Sequence, residues 1–283
     1  MAKTAVMKVW NVELGLAVHI KAPNGRFVVI DLGSTQGVSP IQDLWFRKVG
    51  YMVITHPHHD HISDIQNVDY ADPKVLWRVR DYTREELLEG VSEQDKADFE
   101  KYCDLDDRYN GSVSLEEKPE TGNPFDGMTV KVFRAYNCGK DNKNNLSGIV
   151  VVTLGNVKVI VCGDNEEDSF KELMQKQEFK DAVKEALVLV APHHGRESGY
   201  CEEFVTLVSP FITIISDTKK GETSVSEKYS DKSSGWNVWK EGENSPTFRK
   251  CLTTRSDGNI EVEFGESDDP NKIGRLTVTV GVR

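Results

Sequence analysis

The sequence predicts a layered α/β fold, on three observations. Short runs rich in β-branched residues recur along the chain, helix-patterned stretches alternate with them, and several of the turns between them carry hairpin signals. With 38% hydrophobic residues in 283, the chain has enough apolar material for a real core, which excludes intrinsic disorder. One large layered domain over 1–283 is the expected organisation.

Residues 8–12, 16–21 and 27–31 read as strands, and Pro23-Asn24-Gly25 supplies a hairpin turn between the last two. Residues 51–55 form a further apolar strand that runs straight into His56. Residues 80–110 read as a helical insertion with a strongly polar face. Within it, from Glu85 to Arg108, ten acids stand against three bases, so this stretch holds −7 of the chain's net −11. Strand character returns over 128–135, 147–154 and 157–162, with Gly155-Asn156 as a two-residue turn. Residues 169–186 carry a helix pattern with an imperfect middle, marked by Phe170, Leu173, Met174 and Val183. Residues 186–191 form a buried strand ending at Pro192, and 210–216 repeat that form. Residues 217–245, rich in Ser, Lys, Glu and Gly, read as an exposed loop, and 251–254, 260–264 and 276–282 read as closing strands.

No apolar run approaches the ~20 residues of a membrane span, and the first ten residues lack the apolar region of a signal peptide, so a cytoplasmic protein with no membrane partner is expected. The five cysteines are odd in number and widely spaced, which suits reduced thiols and neither a disulfide framework nor a thiolate zinc site. The acidic balance argues against gripping nucleic acid by bulk charge.

Chemistry concentrates in the histidines. Six of the seven fall in two clusters, each just after a strand. The first is Thr55-His56-Pro57-His58-His59-Asp60-His61, the second Pro192-His193-His194-Gly195-Arg196. Imidazole and carboxylate suit zinc, manganese and iron, and a loop at a strand end folds several such groups around one point. Between the clusters, the apolar run from Val159 ends in Gly163-Asp164, where glycine lets the backbone turn. The seventh histidine, His19, lies within a strand and reads as structural.

His56-x-His58-x-Asp60-His61 after an apolar strand, preceded by Ile30-Asp31-Leu32-Gly33 and followed by Gly163-Asp164 and His193-His194, resembles the metallo-β-lactamase-fold hydrolase superfamily. Finer details are similar to the nuclease-like C-terminal domain of the DNA-uptake competence protein: the Pro-His-His-Gly turn, Ile215-Ser216-Asp217, and the closing segment from Thr254 to Ile260. The resemblance implies an αββα metallo-β-lactamase sandwich with two divalent metal ions, Zn²⁺ or Mn²⁺. By motif position, His56 and His58 would hold one ion, and Asp60, His61 and a histidine of the Pro-His-His-Gly turn the other, with Asp164 bridging. His193 is the preferred histidine of that turn; His59 takes the motif's variable position and faces away. Many members supply the first ion with one more histidine, but none occurs here between His61 and His193. Asn145 lies in the corresponding stretch, and it or His194 would either hold metal or support a residue that does.

The implied activity is hydrolysis by a metal-activated water, with Asp60 as the catalytic carboxylate. His194, Arg196, Ser198 and Lys219 or Lys220 are the candidate substrate contacts. A phosphodiesterase or nuclease acting on single strands, nucleotides or short nucleic acid is the first expectation. Hydrolysis of a small thioester, lactone or β-lactam is the second, and a non-enzymatic metal-binding protein that uses the acidic region for a partner is the third.

Overall fold

The computed structural model describes residues 2–218, 224–267, 269 and 274–283. Lys219 and Lys220, named above as substrate contacts, lie outside the described residues. Ten strands run through the first three quarters of the chain: β1 (Thr4–Val9), β2 (Val18–Lys21), β3 (Phe27–Ile30), β4 (Val49–Ile54), β5 (Val75–Arg78), β6 (Thr129–Phe133), β7 (Ile149–Leu154), β8 (Val157–Val161), β9 (Val188–Val190) and β10 (Ile212–Ile215). Five follow: β11 (Trp236–Lys240), β12 (Thr247–Arg249), β13 (Cys251–Thr253), β14 (Asn259–Gly265) and β15 (Arg275–Val282). They form a nine-stranded sheet, β12-β11-β15-β14-β1-β2-β3-β4-β5, and a six-stranded sheet, β13-β10-β9-β8-β7-β6.

Alternation along the strands builds the layers, because successive side chains point to opposite faces. Val18, Ile30 and Val53 of the first sheet meet Val150, Val159 and Ile214 of the second in one apolar interior. On the outer face of the first sheet, Met52, Ile54 and Leu76 pack against Leu87 of α1 (Arg84–Leu88) and Phe99 and Tyr102 of α2 (Lys96–Arg108). On the outer face of the second, Ile160, Leu189 and Ile215 lie under Phe170 of α3 (Glu167–Leu173), Phe179 of α4 (Gln177–Val183), Phe204 of α5 (Glu202–Val208) and Tyr229 of α6 (Ser226–Lys232). Strands such as β4 are therefore buried on both faces, which is why they read as unbroken apolar runs. The result is the expected αββα sandwich.

Local signals explain several joints. The Pro23-Asn24-Gly25 turn closes as the Gly25 N–H donates to the Ala22 carbonyl, and Gly155-Asn156 joins β7 to β8 with Leu154 opposite Val157. The imperfect middle of 169–186 is a break between α3 and α4. The acidic stretch buries one face of α2 and spends part of its charge in ion pairs: Asp106 with Arg78 and Arg80, and Asp104 with Arg84.

Two expectations are corrected. The first strand spans Thr4–Val9, not 8–12: the Trp10 N–H still donates to the Ala17 carbonyl, but the Asn11 N–H donates to the Asn259 side chain, where regular pairing ends. The described residues of 224–245, expected to lie in an exposed loop over 217–245, do not form one. They hold α6, whose Tyr229 is fully buried, and β11, which adds to β15 through Val238; polar composition masked two elements that each bury one narrow face.

His19 is structural. Its Nδ1 accepts from Trp10 Nε1–H at 3.2 Å, and burial, reinforced by Lys8, drops its pKa to about 3. The ring stays neutral in the fold and takes a proton in the unfolded chain below its ordinary 6.5. Stability therefore falls as pH drops from 6.5 toward 3, by about 1.4 kcal/mol per unit from this group. Urea midpoints of wild type and His19→Gln at pH 7 and pH 5 check this: the variant loses that part of the acid sensitivity.

Candidate metal centre

Parallel pairing puts the chemistry in one place. β3, β4 and β5 run parallel, as do β8, β9 and β10. Asp31 follows β3, His56 follows β4, Asp164 follows β8, His193 follows β9 and Ser216 follows β10. The site thus gathers at the carboxyl ends of parallel strands from both sheets, where α/β folds collect their ligands.

Gly163 makes the approach of the two sheets feasible. Its φ is +54°, and a Cβ there would lie 2.8 Å from the Thr55 side chain, directly beneath the first histidine cluster. Only glycine brings Asp164 this near. Gly15 does the same on the other side: at φ +111° its missing Cβ would sit 2.1 Å from the Asp60 carbonyl oxygen.

Among the described residues, Asp60, His61, Asp164 and His194 offer four donor atoms that all lie within 4.8 Å of one another. His61 Nε2 is 3.1 Å from Asp164 Oδ1, and His194 Nε2 is 3.3 Å from Asp60 Oδ2 and 3.5 Å from Asp164 Oδ2. Two ligands on one tetrahedral zinc ion sit about 3.3 Å apart. A second set adjoins it: His56 Nε2 is 3.0 Å from His58 Nδ1 and 3.9 Å from Asp164 Oδ2. Asp164 stands between the two sets.

Each ring is aimed from behind. His61 Nδ1–H donates to Asp31 Oδ2 at 2.7 Å, and Asp31 also accepts the Thr55 N–H and hydroxyl. His194 Nδ1–H donates to the Ser216 carbonyl at 3.1 Å. Both arrangements fix a proton on Nδ1 and aim Nε2 at the carboxylates, the atom a metal takes once its proton leaves. The buried Nε2 atoms of His61 and His194 make no hydrogen bond, so the residues present fit a divalent ion.

Electrostatics point the same way. Burial disfavours a charged ring at His61, yet Asp164, Asp31 and Asp60 together hold its pKa well above the ordinary value. His194 is likewise opposed by burial and lifted by Asp164 and Asp60, to about 9. Burial would raise the Asp164 pKa, but His61 and His194 hold it well below the carboxylate range. Burial first, then neighbouring His61, depresses His56; burial alone leads the depression of His58. A cation entering among the carboxylates takes over the work of the protons on His61 and His194, so metal uptake releases protons.

The remaining expectations sort by geometry. Of the two turn histidines, His194 joins Asp60, His61 and Asp164, where His193 was preferred for that set. The cause is the backbone: His193, His194 and Gly195 have φ of 48°, 52° and 69°, and successive left-handed residues send neighbouring side chains apart. His193 Nδ1 faces Glu166 Oε1 and Ser198 Oγ, both at 2.9 Å. Ser198, exposed beside the turn, thus contacts His193 through its hydroxyl. Asn145 is buried with its side-chain oxygen accepting from the Ser169 N–H at the start of α3, so that oxygen is not offered to a metal. Arg196 reaches the site, its NH1 3.3 Å from His193 Nε2. Asp60 keeps 33% of its side chain exposed, the most open of the four grouped donors. His59 faces away, bonded to Asp98 of α2 at 2.9 Å, which ties the histidine loop to the acidic helix.

Glu166 was not singled out from the sequence. It also accepts from the side chains of Asn142 and Asn144 and so joins their loop to His193. Its place two residues after Asp164 was the available signal.

The model of the metallo-beta-lactamase superfamily matches residues 12–210. The chain belongs to that superfamily, and its fold and site define a metal-dependent hydrolase. Among solved structures it is similar to the metallo-beta-lactamase fold protein YhfI from Bacillus subtilis, at 13% identity and TM-score 0.50, covering 90% of this chain and 99% of that one. It is also similar to Tm1679, a metal-dependent hydrolase of the beta-lactamase superfamily, at 12% identity and TM-score 0.49, over 90% and 98% of the two chains. Yeast PDE1 aligns at 13% identity and TM-score 0.45, over 79% and 90%. At 13% identity the likeness to YhfI is one of fold. No curated protein matches by sequence. None of the helices among the described residues is long and apolar enough to cross a membrane.

Proposed function

We propose that the chain hydrolyses phosphodiester bonds in single strands, nucleotides or short nucleic acids. The observation that carries this reading is a guanidinium at a carboxylate-rich centre: Arg196 NH1 stands 3.3 Å from His193 Nε2, beside two donor sets that share Asp164. A planar fork of N–H donors suits a pair of phosphate oxygens. The likeness of the Pro-His-His-Gly turn and the segment from Thr254 to Ile260 to the competence-protein nuclease domain supports the same choice. The net charge of −11 narrows it, because a long polyanion is repelled where a short one is not.

Bound divalent ions, Zn²⁺ or Mn²⁺, supply Lewis acidity and a water deprotonated near neutral pH. His56, His58 and Asp164 would hold one, and Asp60, His61, His194 and Asp164 the other. Asp31 and the Ser216 carbonyl keep the His61 and His194 rings turned inward. Asp60, the most open of the carboxylates grouped there, is placed to orient the attacking water. Arg196 orients the phosphate.

Hydrolysis of a small thioester, lactone or β-lactam is the second reading, favoured by the same acidity. A substrate panel separates the two: Mn²⁺- and Zn²⁺-loaded protein with bis-nitrophenyl phosphate, short single-stranded DNA and RNA, long duplex, and esters. The expected result is turnover of the phosphodiester and the short strands, with duplex slowest. Turnover of esters alone selects the second reading, and no phosphodiester turnover with metal bound overturns the first.

A further inference from the structure

We infer that both histidines of the Pro192–Gly195 turn are metal ligands, one for each ion, with His193 joining His56 and His58 in the first set. This rests on the two-ion reading of the site and not on the choice of substrate.

Three observations carry it. His193 Nε2 lies 3.9 Å from Asp164 Oδ2, the same separation that His56 Nε2 keeps from that oxygen, so the two rings approach one carboxylate oxygen at equal range. The ring is oriented as His61 is: Nδ1 sits 2.9 Å from a buried-side carboxylate, here Glu166 instead of Asp31, with Ser198 Oγ adding a second partner. Arg196 NH1–H donates to Nε2 at 3.3 Å, which requires the lone pair to be on the atom that faces Asp164. A cationic group already uses that lone pair.

The backbone explains how adjacent residues serve different ions. Left-handed conformations at His193 and His194 turn one ring toward Glu166 and the His56 side of Asp164, and the other toward Ser216 and Asp60. The stretch from Asn142 to Asn145 serves the same ring from behind. Asn142 and Asn144 donate to Glu166, and Asn145 caps the start of α3, so this loop positions the carboxylate behind His193. Metal on Nε2 also takes the lone pair from Arg196, which frees the guanidinium for an anion only in the loaded protein.

The test is Co²⁺ titration of the metal-free full chain, read by visible absorption and by ions bound per chain. His193→Asn suits the left-handed turn, since asparagine tolerates that backbone. Wild type is expected to bind two ions, and His193→Asn one, with the spectrum of the Asp60, His61, Asp164 and His194 set retained. Glu166→Gln keeps the ligand but removes its orienting charge, and is expected to weaken the first ion about 10–100-fold while leaving the second unchanged. Two ions bound with unaltered affinity in both variants overturns the assignment while leaving the two-ion reading intact. One ion bound by wild type and by His193→Asn alike overturns both.

Discussion

Replacing Asp164 with asparagine lowers hydrolytic turnover by about 10³-fold or more, roughly 4 kcal/mol of transition-state stabilisation. The expectation follows from its position. His56, His193 and His194 all approach Oδ2, at 3.9, 3.9 and 3.5 Å, and His61 approaches Oδ1 at 3.1 Å. Removing one charge therefore weakens both donor sets together, unlike any change on a single histidine. The backbone contact survives, because the Asp164 N–H still donates to Ser147 Oγ at 3.2 Å. Steady-state kinetics on the best substrate of the panel, with circular dichroism to confirm the fold, check it. A variant within about tenfold of wild type would show that Asp164 does not join the two sets.

Asp31 separates structure from chemistry in a second way. Asp31→Ala leaves His61 without its partner and two Thr55 donors unsatisfied in a fully buried place, and it puts alanine at φ 58°. Breaking a buried charged pair costs about 3–5 kcal/mol, read as a lower urea midpoint. Asp31→Asn behaves differently. Asparagine tolerates the left-handed backbone and its oxygen still accepts from the Thr55 N–H, so the fold holds. Its amide N–H now faces His61 Nδ1, which moves the ring proton to Nε2 and blocks the atom aimed at the metal. Metal affinity is expected to fall about 10–100-fold with stability largely kept. Equal affinity for Asp31→Asn and wild type would mean that the Asp31–His61 contact only supports the fold.

Much of the centre was legible because its chemistry is local in sequence. His56, His58, Asp60 and His61 sit within six positions after one strand, and residue type alone marks them as metal donors. Strands β4 and β8 were equally plain, since burial on both faces makes them continuous apolar runs. What stayed hidden depends on backbone direction and distant partners. Nothing in two adjacent histidines says which turns toward Asp60, because that choice lies in consecutive left-handed φ values. Glu166 looks like any acid at a helix start until the fold carries His193 against it. Asn145 sat in the right stretch, but its oxygen was already committed to α3. The stretch 217–245 failed for another reason: α6 and β11 each bury so narrow a face that polar composition outweighs it.

The central claim is a two-ion hydrolytic centre joined by Asp164, and metal content tests it most directly. Metal-free protein titrated with Mn²⁺, with bound ions and phosphodiester turnover followed in the same samples, should reach two ions per chain, with turnover rising as the second binds. Asp164→Asn should bind neither ion tightly and stay inactive. Turnover that is complete with one ion, or that persists in the metal-free protein, would contradict the account.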